Sequence, residues 1–296
     1  MESVRVARRR RRRFALSAVI VSLAYAITTT SAHAGFVVFE ASGANAAAIT
    51  PSRDAFRAAV GGGTVAGPNG SFGGLRREVN WDGVPDARAD PSLLPANFFN
   101  TTSPRGVVLS TPGSGFLVSA NAGGATPTLF GFPNDFQTFS AQRLFTALNS
   151  NITDVNFFLP GTSVAGTTSA FGVIFVDVEV ANLTTVEFFD ASNNLIFSRD
   201  ALVGGNQGLT YLGAVADAGE WISRVEIISG ANTIAADGVL GNPNGDVVVM
   251  DDFLYAEVRA QAVPEPSSYV LASLGLLGGL VWFGHRRGSV SRPAFL

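Results

Sequence analysis

The stretch Phe171-Gly172-Val173-Ile174-Phe175-Val176-Asp177-Val178-Glu179-Val180 decides the fold class. Ile174, Val176, Val178 and Val180 recur at every second position, with Asp177 and Glu179 between them. Successive side chains of a strand point to opposite faces, so a period of two predicts a half-buried β-strand. Working outward, 186–189 and 195–197 are apolar runs joined by the polar segment Asp190-Ala191-Ser192-Asn193-Asn194, which reads as a hairpin. Residues 209–215, 221–228 and 247–257 complete the strand set towards the C-terminus. Towards the N-terminus, 36–40, 106–110, 115–120, 143–148 and 155–159 are further short apolar runs. Pro112-Gly113 and Pro160-Gly161 mark turns between them.

One helix is expected, over 52–60. Thr50-Pro51 opens it and Gly61-Gly62-Gly63 closes it, which places Pro in the first turn and Gly beyond the end. These elements predict an all-β protein, a single antiparallel jelly-roll-like β-sandwich over 35–258 with one short helix. An N-terminal signal helix and a C-terminal hydrophobic sorting helix are expected to flank it.

Both ends read as targeting segments. Six consecutive arginines, Arg8 to Arg13, precede an apolar stretch over 14–27, and Ala32-His33-Ala34 supplies small residues for a cleavage site. The signal peptide is therefore expected over 1–34, with cleavage after Ala34 and a mature chain beginning at Gly35. At the other end a linker over 259–268 carries Val263-Pro264-Glu265-Pro266, and the prolines keep it extended. An apolar span over 269–284 follows, about 24 Å long as a helix against a hydrocarbon core of ~30 Å. That length suits a temporary anchor, the alternative being a permanent one. Arg286 and Arg287 open a basic tail over 285–296 that is expected to stay in the cytoplasm.

This tail resembles the PEP-CTERM signal of exopolysaccharide-producing bacteria. The resemblance implies an exosortase as processing partner and export machinery before it. The product is held in the inner membrane for a time, then released to the cell surface or extracellular matrix. Nine residues, 288–296, follow the basic pair, where such a signal would be expected to stop sooner.

Without the two ends the charge picture changes. Between Gly35 and Pro264 there are ten Arg against twenty-one Asp and Glu, a net charge of −11. An acidic domain is a poor partner for nucleic acid. The chain has no Cys and no Lys, and its two His, His33 and His285, lie in the targeting segments. Triad hydrolysis, thiol nucleophiles, Schiff-base lysines, His/Cys zinc sites and disulfides are excluded from the mature domain. Carboxylate chemistry survives among hydrolytic mechanisms.

Two acidic constellations stand out. Asp251-Asp252 interrupts an apolar strand, and alternation sends the two carboxylates to opposite faces. Either they sit at a solvated strand end or beside an arginine, or they bind metal. The rhythm of strands also loosely resembles galactose-binding-like sandwiches. That resemblance implies one structural calcium joining the first and last strands, with Glu40 and Asp252 as ligands and Asp251 as the substitute. Second, Trp81 and Asp82 lie in Glu78-Val79-Asn80-Trp81-Asp82-Gly83. An aromatic face among hydroxyl acceptors is what a glycan site uses; the alternative is a polar loop anchored by a buried Trp.

The expected function is a non-enzymatic surface or exopolysaccharide-matrix protein with a polysaccharide ligand. The alternatives are a carboxylate-dependent glycan-active enzyme and a protein–protein adhesion module.

Overall fold

The computed structural model of the chain describes residues 35–124, 127–235, 240–241, 245–261 and 275–276. The signal segment with Ala32 and Ala34 lies outside the described residues, as do Val263, Pro264, Glu265, Pro266, Arg286 and Arg287. Of the span over 269–284, Gly275 and Leu276 are described, and both are helical.

The elements in chain order are β1 (Phe36–Gly43), α1 (Ala46–Val60), β2 (Ser71–Phe72), β3 (Arg76–Val79), α2 (Phe98–Thr101), β4 (Val107–Ser110), β5 (Gly115–Val118), β6 (Phe145–Leu148) and β7 (Ile152–Phe157). They continue with β8 (Gly166–Thr167), β9 (Ala170–Val176), β10 (Thr185–Phe189), β11 (Leu195–Asp200), β12 (Leu209–Ala216), β13 (Arg224–Ile228), β14 (Val249–Ala256) and β15 (Arg259–Ala260). An eight-stranded sheet runs β1-β12-β9-β14-β3-β2, with β6 joining β14 and β5 joining β6. A five-stranded sheet runs β11-β10-β13-β7-β4, and β15 pairs with β8 alone. All these strand pairings are antiparallel. The protein is an all-β sandwich.

The main core lies between the sheets. Phe171, Val173 and Phe175 of β9 and Phe253 and Tyr255 of β14 belong to it from one sheet, and Val155, Phe188 and Val225 from the other. The central stretch departs from its expected half-burial, because β9 is buried along its whole length. Ile174 and Val176 belong to a second apolar cluster with Tyr211, Leu254, Ile49 and Phe56 of α1, and Phe130 and Phe136. The helix and the 129–136 segment thus cover the face of Ile174 and Val176, while the opposite face, which alternation assigned to solvent through Asp177 and Glu179, lies in the main core through Val173 and Phe175. The strand also stops at Val176, because Asp177 takes a positive φ of 74° and turns the chain.

The helix starts six residues before the expected position, at Ala46, and Pro51 lies inside it. Two apolar side chains, Ile49 and Phe56, are fully buried and fix α1 on the sheet, which outweighs the proline's missing donor. Its C-terminus is closed as expected, at Gly61 with φ 89°. The Arg76 guanidinium donates to the carbonyls of Arg57 at 3.3 Å, of Gly63 at 2.9 Å and of Gly61, placing positive charge at that helix end.

Candidate functional site

A cleft of about 480 Å³ opens between the β10–β11 hairpin, the segment after β12 and the β8–β15 pair. That volume lies within the range of small-ligand pockets. The β10–β11 turn supplies Asp190, Ala191 and Ser192 and β11 adds Ile196. The segment after β12 supplies Glu220 and Trp221, the last strand supplies Arg259 and Ala260, and Gln261 follows it. Trp221 is 41% exposed, so much of its indole is open to solvent. The Arg259 guanidinium lies 5.6 Å from its ring centroid, a cation–π arrangement.

The cleft's acids are already tied into its frame. Asp190 Oδ1 accepts the Ser192 and Asn194 amides at 2.8 Å each, and its Oδ2 accepts Asn194 Nδ2 at 2.9 Å. Burial raises its carboxyl slightly, but these hydrogen bonds outweigh it and hold Asp190 below the usual carboxylate range. Glu220 behaves likewise: burial raises it, and the Gly35, Glu220 and Ala218 amides together hold it low. Both are charged at neutral pH. The site therefore offers a flat aromatic surface, a stacked cation and two fixed anions around an apolar floor.

Trp81, expected as a glycan platform, is instead 1% exposed in the main core. Its Nε1 donates to the Asp251 carbonyl at 2.8 Å, and its ring meets Phe99, Phe145 and Phe253. Asp82 accepts the Arg143 amide at 2.8 Å and the Gln142 amide. The loop anchored by a buried Trp is thus the reading the geometry supports. Burial of a Trp whose neighbours are polar needs a partner for its N–H, and the last long strand provides one.

Glu40, Asp251 and Asp252 do not meet. Between β1 and β14 lie β12 and β9, three strand spacings or about 14 Å. Glu40 pairs with Arg199 of β11, at 2.5 and 3.0 Å. Asp251 and Asp252 lie on the same side rather than on opposite faces, because β14 carries a register shift between Met250 and Phe253. Over that interval β14 advances three residues against two on β9, so one extra residue breaks the alternation. Ser140 Oγ reaches both carboxylates, Asp251 at 3.1 Å and Asp252 at 3.2 Å, and the Phe139 amide donates to Asp251 at 2.7 Å. Burial, then the neighbouring Asp252 charge, pushes Asp251 well above the carboxylate range. Burial also pushes Asp252 up to about 6.

A different acidic group forms where β9 ends. Asp177, Glu179 and Asp246 bring carboxylate oxygens within 4.8 Å of one another, and it is the group among the described residues that could hold a metal ion. Asp246 accepts the Val180 amide at 3.1 Å, and Asp177 the Gln207 amide at 2.8 Å. Burial pushes Asp177 up to about 7; the Gln207 amide opposes this, and the charges of Glu179, Asp135 and Asp246 add to it. Three oxygens are half of what calcium takes. In the sequence these acids are split between an alternating strand and a turn at 242–246, so nothing local joins them; residues 242–244 lie outside the described residues.

The C-terminal region has a family match: residues 262–287 match the PEP-CTERM protein-sorting motif. This chain carries a PEP-CTERM sorting signal. The match begins directly after Gln261, the last residue lining the cleft, and ends at Arg287. It supports an exported protein, processed by an exosortase at the membrane and then located on the cell surface. No curated protein matches the chain. Among the described residues no helix is long and apolar enough to cross a membrane.

Proposed function

We propose that the PEP-CTERM protein is a non-enzymatic component of the cell surface or exopolysaccharide matrix, and that its sandwich binds polysaccharide at the Trp221 cleft. One observation carries this reading: a tryptophan 41% exposed on a cleft of about 480 Å³, in a domain whose other tryptophan is buried. Pyranose rings present C–H faces that stack on an indole, and their hydroxyls pair with fixed carboxylates, amides and guanidinium groups. Asp190, Glu220, Arg259 and Gln261 supply those partners around the ring. Export to the surface brings the cleft to where such polymers are. The Pro-Glu-Pro segment and the apolar span are the parts expected to meet the exosortase and the bilayer.

The structural calcium expected from the sequence would be held by Asp177, Glu179 and Asp246 rather than by Glu40 with Asp252. Only the first group gathers three carboxylates within 4.8 Å.

Electrophoresis of the mature protein through gels containing neutral or acidic polysaccharides tests the binding reading. Retardation of the wild type that is lost in Trp221→Ala supports it. Equal mobility in every gel, with and without polysaccharide, overturns it.

A further inference from the structure

Gly35, one residue ahead of β1, is gripped at both ends of its backbone. Its N–H donates to Glu220 Oε1 at 2.9 Å, and its carbonyl accepts the Asp217 amide at 3.1 Å. The other oxygen of Glu220 takes the Ala218 amide at 3.1 Å, which folds the 217–220 turn around the same carboxylate. The Asp217 carboxylate lies against the Gly35 Cα: a Cβ built there would stand 2.0 Å from Oδ1. One acidic side chain thus holds the Gly35 nitrogen, and a second lies beside the Cα of the same residue, in the gap that a side chain at position 35 would fill.

A peptide N–H is a single neutral donor, and it makes little use of the charge of Glu220 or of a second carboxylate beside the same residue. An α-ammonium carries a full positive charge and three donors, and it matches them. We propose that Glu220 and Asp217 form the binding site for the free α-ammonium of Gly35, created when the Ala34–Gly35 bond is hydrolysed. Water supplies the hydroxyl to the Ala34 carbonyl and a proton to the Gly35 nitrogen, and a further proton from solvent makes it cationic. The inference rests on the export reading, since an export peptidase is the class of enzyme that makes the cut.

Its consequence is mechanical. Strand β1 is an edge strand that pairs with β12 alone, so its N-terminal end has one neighbour. Cleavage converts the hydrogen bond at that end into an ion pair, and the fold closes more firmly after processing than before. The other charged groups lining the cleft beside Glu220 are Asp190 and Arg259, and the Asp190 carboxylate is committed to its own turn. The 217–220 turn therefore faces the new terminus with a net negative charge.

The composition gives a clean test. The chain contains no Lys, so the mature protein has one amine, its own N-terminus. The exported protein is purified from its producing cell, its N-terminal residue is read by mass spectrometry, and the rate of amine acylation is followed from pH 6 to 10. We expect Gly35 at the terminus and an amine held protonated above the ordinary range of about 7.7–8.0. Acylation at pH 7.5 should then run about tenfold slower than in Glu220→Gln, one pKa unit being a factor of ten. The same wild-type protein in denaturant provides the comparison should the variant misfold, and it should also react about tenfold faster. A terminus elsewhere in an exported chain overturns the inference and leaves export standing. Retention of residues 1–34 overturns both. Equal rates for the folded and denatured wild type also overturn the inference.

Discussion

The Trp81 indole lies flat on the Phe145 ring, with centroids 4.0 Å apart and planes within 4° of parallel. That stack joins the loop after β3 to β6, and the Nε1–H bond to Asp251 extends it to β14. Removing it leaves a void and an unpaired carbonyl inside the sandwich. Trp81→Ala should therefore cost about 3–5 kcal/mol of stability, the range for a buried aromatic. Chemical denaturation of the folded domain measures it, and a loss below about 1 kcal/mol would contradict the assigned packing.

Two ion pairs of similar appearance should behave differently. Arg199 and Glu40 meet at the rim, where Arg199 is largely solvated, so Glu40→Gln should cost less than about 1 kcal/mol. Arg76 is 2% exposed and bonds Glu78 at 2.8 Å as well as the carbonyls that end α1. Arg76→Ala leaves Glu78 and these carbonyls without that partner, and about 3–5 kcal/mol should be lost. Equal effects in the two variants would argue against this division.

The buried acids set a pH dependence. Asp177 is pushed up to about 7 when folded, against about 3.9 in an unfolded chain, so between these values the folded state binds more protons. Stability must then fall as pH rises from about 4 to 7, and Asp252, pushed up to about 6, acts in the same direction. In chelator, the melting temperature should drop between pH 5 and pH 8, and Asp177→Asn should flatten the drop. A change on the order of 1 kcal/mol after solvent screening corresponds to about 2–4 °C in a domain this size. A melting temperature that climbs over this interval, unchanged by the variant, would refute the assignment.

Calcium should act on the same residues. A divalent ion replaces the repulsion among Asp177, Glu179 and Asp246 with attraction. Excess calcium at pH 7.5 is expected to raise the melting temperature, and Asp177→Asn or Glu179→Gln to abolish the rise. Identical melting in calcium and chelator removes calcium from the account.

Much of the architecture was legible along the chain. The apolar run and alternation over 171–180 and the polar turn after β10 were strong local signals: β10 and β11 form where they pointed, and β9 forms over the first part of its stretch, ending at Val176. Local signals also located the sorting tail, whose proline pair, apolar span and arginines are contiguous. What they missed depends on tertiary neighbours. Both faces of β9 are dry, and the alternation of 174–180 marked only the face of Ile174 and Val176 as apolar, because Asp177 and Glu179 follow the strand's end and say nothing of the Val173 and Phe175 face. Asp251 and Asp252 share a side because of one extra residue in β14, and a bulge is invisible to a period-of-two reading. Trp81 and Trp221 each stand among polar residues in sequence. Only the fold separates the one stacked on Phe145 from the one open to solvent. Glu40 went to Arg199 because β12 and β9 fill the space that separates it from Asp252.

The most direct measurement is co-sedimentation of the mature protein with the exopolysaccharide of its own producing cell, wild type beside Trp221→Ala. Glycan binding at the cleft predicts that the wild type pellets with the polymer and that the variant, with unchanged melting temperature, loses at least tenfold in affinity. Wild type and folded variant pelleting alike would contradict the cleft as the site. No pelleting of either would contradict polysaccharide binding itself and leave an adhesion module, sorted to the same surface.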